Sequence, residues 1–171
     1  MTGLIQGIAR RTARREPMEI IPHGEITTNA GLVGDFKGAK HKTRQITILA
    51  LEDWRSALNA LSLTSEGFPW TTRRANLLSS GLRLPRVKGA IIRIGTIELE
   101  VTGQTYPCHR MDEAYSGLLK ALAPNWRGGV TCKVLASGLV AVGDPISILS
   151  SPPEPPPRKL PGWSVKPIRA R

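Results

Sequence analysis

The sequence predicts a mainly β fold with helical insertions, closed into a barrel. Three observations predict it. Short segments rich in Ile, Val, Leu and Thr recur along the chain, and Gly-containing turns join several of them directly. In the clearest segment apolar and acidic residues alternate, which buries one face and wets the other. Two stretches carry helical spacing. The tight turns also weigh against a parallel βαβ alternation, which needs long crossovers.

Residues 3–9 read as a first strand and 10–17 as a basic connection. Residues 19–28 are extended and lead to Gly31 and Gly34-Asp35, where left-handed backbone is tolerated. RQITILAL, residues 44–51, is β-branched and apolar and predicts a buried strand. Trp54, Ala57, Leu58 and Leu61 share one helical face, so a helix over 52–61 follows. Residues 62–70 form a loop, 71–78 a strand, and 81–87, with Pro85, a connection. Two strands, 90–94 and 96–102, flank Gly95; Ile97, Leu99 and Val101 point one way, Glu98 and Glu100 the other. Residues 103–109 are a loop, 111–123 a helix stopped by Pro124, and 125–129 a basic, Gly-rich loop. Strands at 130–136, 138–142 and 146–149 close the folded part, with a Gly143-Asp144 turn between the last two.

One domain over residues 1–150 is followed by a proline-rich, basic tail, 151–171, expected as extended polyproline II. The chain has 171 residues, 24 Lys and Arg against 13 Asp and Glu, and a formal charge of +11. Its 40% hydrophobic content excludes collagen-like and wholly disordered chains. No run approaches the roughly 18 apolar residues of a membrane-spanning helix. The first residues lack the order of a secretory signal, so the expectation is cytoplasmic, with no membrane partner. The charge asks for an anion: nucleic acid, an acidic surface or a small anionic ligand.

Two cysteines are too few for a disulfide framework. Cys108, in YPCHRMDE, sits in a loop between strand and helix, beside His109 and Arg110, whose charges favour thiolate. Cys132 alternates with Val130 and Val134 and reads as core. Lys40, His41, Lys42 and Arg44 precede one strand; Arg73 and Arg74 precede Asn76; Arg127 precedes Gly128-Gly129. Arg forks suit phosphate, Gly admits an anion to the backbone, and an Asn amide suits a heterocycle edge. The bland reading of each cation is a solvated face, and that of Asp112 and Glu113 is acids at a helix start. His23, His41 and His109 lack zinc spacing, and no GxSxG, P-loop or GxGxxG run occurs. Aromatics are only 5%, which gives a stacking nucleic-acid surface little support from composition.

Taken in order, GLVGD (31–35), TRQITIL (43–49), RRANLL (73–78), IRIGTIELEVTGQTYPCHRMD (92–112) and RGGVTCKVLASGLVAVGD (127–144) resemble the MOSC domain, the C-terminal module of molybdenum cofactor sulfurases. The resemblance spans about residues 3–149 and is to a small stand-alone member. It implies a β-barrel and a role in molybdenum cofactor (molybdopterin) or sulfur chemistry. In proteins similar to the amidoxime-reducing component, a cysteine thiolate ligates molybdenum and N-hydroxylated compounds are reduced. The electrons come from a separate reductase. The matching cysteine is Cys108, as metal ligand and catalytic residue. Arg44, and Arg74 with Asn76, match segments that hold the pterin and its phosphate; Arg127 would also hold the anion, and His41 is a second choice. Phe36 follows Asp35 where many members carry Arg, and the extra N-terminal domain of the amidoxime-reducing enzymes has no counterpart here. The alternative within the family is a sulfur carrier charged as a Cys108 persulfide by a cysteine desulfurase. A third class is a non-enzymatic binder of nucleic acid or acidic surfaces, motivated by charge alone.

Overall fold

A computed structural model of the chain describes residues 1–156. Its elements in order are β1 (Thr2–Arg10), β2 (Glu19–Ile21), β3 (His23–Thr27), β4 (Gly31–Leu32), β5 (Ile46–Ala50), α1 (Leu51–Asn59), β6 (Leu77–Ser80), β7 (Ile91–Ile94), β8 (Ile97–Gln104), α2 (His109–Ala114), α3 (Leu118–Leu122), β9 (Val130–Ala136), β10 (Gly138–Ala141) and β11 (Pro145–Ser150). Seven strands close a barrel in the order β11-β7-β8-β9-β5-β6-β1, with β1 returning to β11 through Thr2↔Ser147, Gly3↔Ile146 and Leu4↔Pro145. The mainly β barrel with helical insertions is therefore what forms. β2 extends the sheet beyond the ring, on the second half of β1. A small sheet, β10-β3-β4, sends Ile26, Leu32 and Val140 into the barrel's apolar interior.

The period-two pattern sets the interior. Ile97, Leu99 and Val101 of β8 face Val130, Cys132 and Val134 of β9 inside the barrel. Leu49 and Leu78 point the other way, onto a second apolar layer. There Trp54, Ala57 and Leu58 of α1, Met111 of α2, and Leu118 and Leu122 of α3 cover the wall. Burial of each such large side chain contributes about 1.5–3 kcal/mol. The Trp54 indole Nε1 donates to the Phe68 carbonyl at 3.1 Å, so its polar end is also satisfied.

Four local expectations change. Residues 71–78 are not one strand: Trp70–Arg73 is a single 3-10 turn after Pro69, and Arg74 then takes left-handed backbone (φ 64°) before β6 begins. Residues 111–123 are not one helix: Gly117 at φ 91° separates α2 from α3, and α2 starts as early as His109. The extended stretch 19–28 is divided at Pro22, which has no N–H to donate and whose carbonyl accepts from Val142 N at 3.0 Å. One parallel pair exists after all, β5 with β6, because α1 provides the crossover between them. The tail departs from β11 and its described start, 151–156, is irregular; the polyproline expectation for 157–171 lies outside the described residues. Among the described residues no helix is long and apolar enough to cross a membrane.

Candidate functional site

Cys108 sits where the helical layer meets the barrel wall. It is the extended residue just before α2 (φ −113°, ψ 170°), and its carbonyl accepts from Met111 N at 2.9 Å. Met111 is buried in the helical layer, so the anchored first turn presents the Cys108 thiol outward, and that thiol is exposed. The approach to Cys108 is also pinned. Thr105 N donates to Gly129 O at 2.8 Å, and the Arg73 guanidinium donates through Nη2 to Thr105 O at 2.8 Å. Gly128 is needed at this junction. A Cβ there would stand 2.3 Å from Thr105 O and 3.0 Å from Arg73 Nη2.

Arg73 is 6% exposed, and its Nε has no hydrogen-bond partner; neither has the buried Thr105 Oγ1. Desolvation lowers the Arg73 guanidinium to about 10, against the nearby Cys108 sulfur, with Arg44 and Arg74 adding to the lowering. Arg11 is 4% exposed, and its Nη1 is likewise buried without a partner. Burial lowers Arg11 too, with Asp35 opposing and Arg110 reinforcing. Arg74 is lowered by burial, then by Arg11 and Arg110. Lys37 is lowered by desolvation, then by Arg11, Arg74 and Arg44.

Arg11, Lys37, Arg44, Arg73, Arg74 and Arg110 thus share one field with Cys108 and Asp35. Elsewhere four arginines have acidic partners: Arg10 with Glu19, Arg83 with Glu154, Arg86 with Asp53, Arg93 with Glu98. Among the described residues none of the six cations has an ion-pair partner within 4.0 Å. Asp35 spends its carboxylate on backbone, accepting from Arg11 N at 3.2 Å and Lys37 N at 3.1 Å. Buried guanidinium groups left without a counter-charge are costly, and an incoming anion relieves that cost.

Of the six residues expected at the site, Cys108, Arg44 and Arg74 fall in this cluster. Three do not act there as expected. Asn76 is 6% exposed and works as a clasp: its Oδ1 accepts from Thr47 N and Thr47 Oγ1, both at 3.0 Å, and its Nδ2 donates to Ala9 O at 3.4 Å. It ties β6 to β5 and β1, so its amide is committed to backbone rather than offered to a heterocycle. Arg127 donates to Ala121 O at 3.2 Å, and its field acts on Asp53 of α1 beside Arg86. The loop serves the Cys108 cluster through Gly128 instead. His41 is exposed and enters only by its backbone, which closes turns with Lys37 and Arg44.

Sequence reading passed over Arg11 and Lys37. A signal for Arg11 exists. Gly7, Ala9 and Arg11 are buried at alternate positions on the face that Trp70 covers, so Arg11 is a charge on a buried face at a strand end. Lys37 carries no comparable mark. Phe36, where many related chains were expected to carry Arg, lies between two cations: Lys40 Nζ is 4.1 Å from its ring centre and the Arg11 guanidinium 6.0 Å. Two cavities, one lined by Asp53, Arg83 and Arg86 and one by His23, Glu25 and Leu139, include none of these residues. Among the described residues no three His, Cys, Asp or Glu side chains gather to hold a metal, so Cys108 is the soft donor the cluster offers.

A small closed barrel carries, at its helix-covered wall, a thiol and a knot of cations without ion-pair partners among the described residues, a donor set chemically suited to a soft, anionic group. The chain belongs to the MOSC domain family, whose model matches residues 35–147. That family is associated with molybdenum cofactor binding. The fold is similar to that of the YuaD protein from Bacillus subtilis, with TM-score 0.70, 18% identity, and cover of 85% of this chain and 94% of that one. It is also similar to YiiM from Escherichia coli (TM-score 0.69, 19% identity, 90% and 72% covered). YiiM from Geobacillus stearothermophilus aligns with TM-score 0.59 and 17% identity, over 86% and 73% of the two chains. At these identities the likeness is one of fold. No curated protein matches the sequence.

Proposed function

We propose that the chain binds a molybdopterin cofactor and reduces N-hydroxylated compounds with electrons from a partner protein. The observation that carries this reading is buried, unpartnered donor capacity beside an exposed thiol: Arg73 Nε and Thr105 Oγ1 next to Cys108. The donor set suits the group. Arg44 and Arg74 would hold the phosphate as planar forks, and Cys108 would offer a thiolate to the metal. Arg73 fixes the carbonyl of Thr105 and so sets the path of the chain into Cys108. When bound, the cofactor supplies oxygen-atom removal from an N–OH group and accepts electrons to repeat it. The barrel supplies position and charge, and the exposure of Cys108 leaves its outer side open to a small substrate. Both cysteines are free thiols, which suits a reducing cytoplasm.

The test is metal analysis of the full chain purified from a host that makes the cofactor. About one molybdenum per chain is expected, lost in Cys108→Ser; no molybdenum in the wild type ends the reading. The exposure of Cys108 also favours the sulfur-carrier alternative. Intact mass after treatment with a cysteine desulfurase and cysteine would then rise by one sulfur, and not in Cys108→Ser.

A further inference from the structure

The cluster has more positive charge than one phosphate uses. Arg11, Lys37, Arg44, Arg73, Arg74 and Arg110 face two groups that can be negative, Asp35 and the Cys108 sulfur, which leaves four positive charges. A phosphomonoester carries only about two negative charges near neutral pH. The two most buried guanidinium groups are also held separately. Arg73 is fixed by Thr105 O, on the side of Cys108. The Arg11 guanidinium stands 6.0 Å from the Phe36 ring centre, and its main chain is tied to the same turn, with N donating to Asp35 Oδ1 at 3.2 Å and O accepting from Phe36 N at 2.7 Å. Each has its own unpartnered nitrogen, Nε in one and Nη1 in the other. One compact anion placed against Arg44, Arg73 and Arg74 leaves Arg11 and Lys37 without an ion-pair partner among the described residues.

The geometry points to a second phosphate subsite, formed by Arg11 and Lys37 beside Phe36 and Lys40. It rests on the proposed function in taking the first subsite, Arg44 with Arg73 and Arg74, as the place of the cofactor's own phosphate. The second phosphate has two possible carriers: an N-hydroxylated substrate that is itself a phosphomonoester, or a nucleotide-bearing form of the cofactor. Asp35 belongs to this subsite as its organiser. Its carboxylate takes the backbone N–H groups of Arg11 and Lys37, so both residues are gathered at one turn. Lys40 and Arg11 on the Phe36 ring fix the other wall.

The experiment is calorimetric titration of the full, unloaded chain with inorganic phosphate at low ionic strength, where surface charge is least screened. Two phosphates per chain are expected. Arg11→Met should weaken one of them about tenfold or more, and Arg74→Met the other; Arg93→Met, in an ion pair elsewhere, is the control. Because Arg11 is buried, exposed Lys37→Ala serves as a second variant that spares packing. One phosphate or none in the wild type overturns the subsite, as does unchanged binding in both Arg11→Met and Lys37→Ala. The cofactor-loaded chain separates the carriers. If it still binds one phosphate, the substrate is the carrier. If it binds none and the released cofactor holds two phosphorus atoms per molybdenum, the cofactor is; a single phosphorus with no further binding overturns the subsite. Failure to load molybdenum at all defeats the cofactor reading but leaves the unloaded titration to decide the second subsite.

Discussion

Replacing Asn76 by Ala tests whether this residue is a clasp of the barrel. The side chain accepts two hydrogen bonds from Thr47, both at 3.0 Å, and makes one longer bond to Ala9 O at 3.4 Å. Its removal strips the half-buried Thr47 N–H of its acceptor. An unsatisfied buried donor costs about 1–3 kcal/mol, and the Thr47 hydroxyl adds a smaller loss because it can turn to another acceptor. The backbone bonds of the same pair, Asn76 N to Thr47 O at 3.0 Å and Ala9 N to Asn76 O at 2.8 Å, survive the change. The net is about 3 kcal/mol. For a chain of this size each kcal/mol moves Tm by about 2–4 °C, so a fall of about 6–12 °C is expected in calorimetry of the unloaded protein. Asn76→Asp should fall as well, because a buried carboxylate would face the Ala9 carbonyl. A Tm within about 2 °C of wild type, together with lost cofactor, would refute the clasp and return Asn76 to ligand contact.

Three further outcomes follow from the packing. Native protein should present one thiol to an aromatic disulfide reagent and two in urea, since Cys108 is exposed and burial pushes the Cys132 thiol far up; two fast thiols in the native state would contradict the barrel interior. Glu154, at the start of the tail, accepts from both Arg83 Nη atoms at 2.8 and 2.7 Å and from Arg86 N at 2.9 Å, which draws its carboxyl down to about 2. A folded pKa below the unfolded one stabilises above about pH 4.5 and ceases to as pH falls toward 2. Glu154→Ala should therefore lower Tm by only about 1–3 °C at pH 7, the scale of an exposed pair worth about 0.2–1 kcal/mol, with the difference from wild type shrinking as pH falls toward 2. Gly129→Ala should cost about 1–3 kcal/mol from backbone strain alone. Its φ is 94° and the new Cβ would stand 2.2 Å from Ile48 O, so the loss shows in urea midpoint, and an unchanged midpoint would mean that the loop had re-formed elsewhere.

Strands with two distinct faces were legible. β8 alternates Ile, Leu and Val with Glu, and its interior row follows directly. β9 was read to its end residues because Gly129 and Ser137 bound it. The turns were legible where glycine carries them, as at Gly34, Gly95 and Gly143. Legibility failed where a non-glycine residue takes left-handed backbone. Arg74 does so at φ 64°, and no local pattern marks it. The parallel β5–β6 pair was hidden for a different reason: hydrogen-bond partners at sequence separation 29, such as Thr47 and Asn76, leave no periodic trace. At the site, Cys108 stood out because charge follows it directly in sequence. Arg11 did not, since the chain meets it more than sixty positions before the other buried arginine, Arg73. Asn76 showed the reverse error: an amide just after two arginines reads as a ligand contact, and only its bonds to Thr47 and Ala9 reveal the clasp.

The pairing of β1 with β11 joins the two ends of the barrel. Along a growing chain, the free edge of β1 waits through about 140 further residues for its last neighbour. At about 5–20 residues per second, that is about 7–30 seconds of synthesis during which the ring stands open. Its unsatisfied backbone is a template for other strands throughout that interval. β6, which bonds to the opposite edge of β1 from Leu4 to Ile8, arrives at half the distance and turns the early chain into a sheet before the ring can close. Slow closure of this kind makes yield at high expression temperature a property of β11, the strand farthest from the chemistry in the order of synthesis.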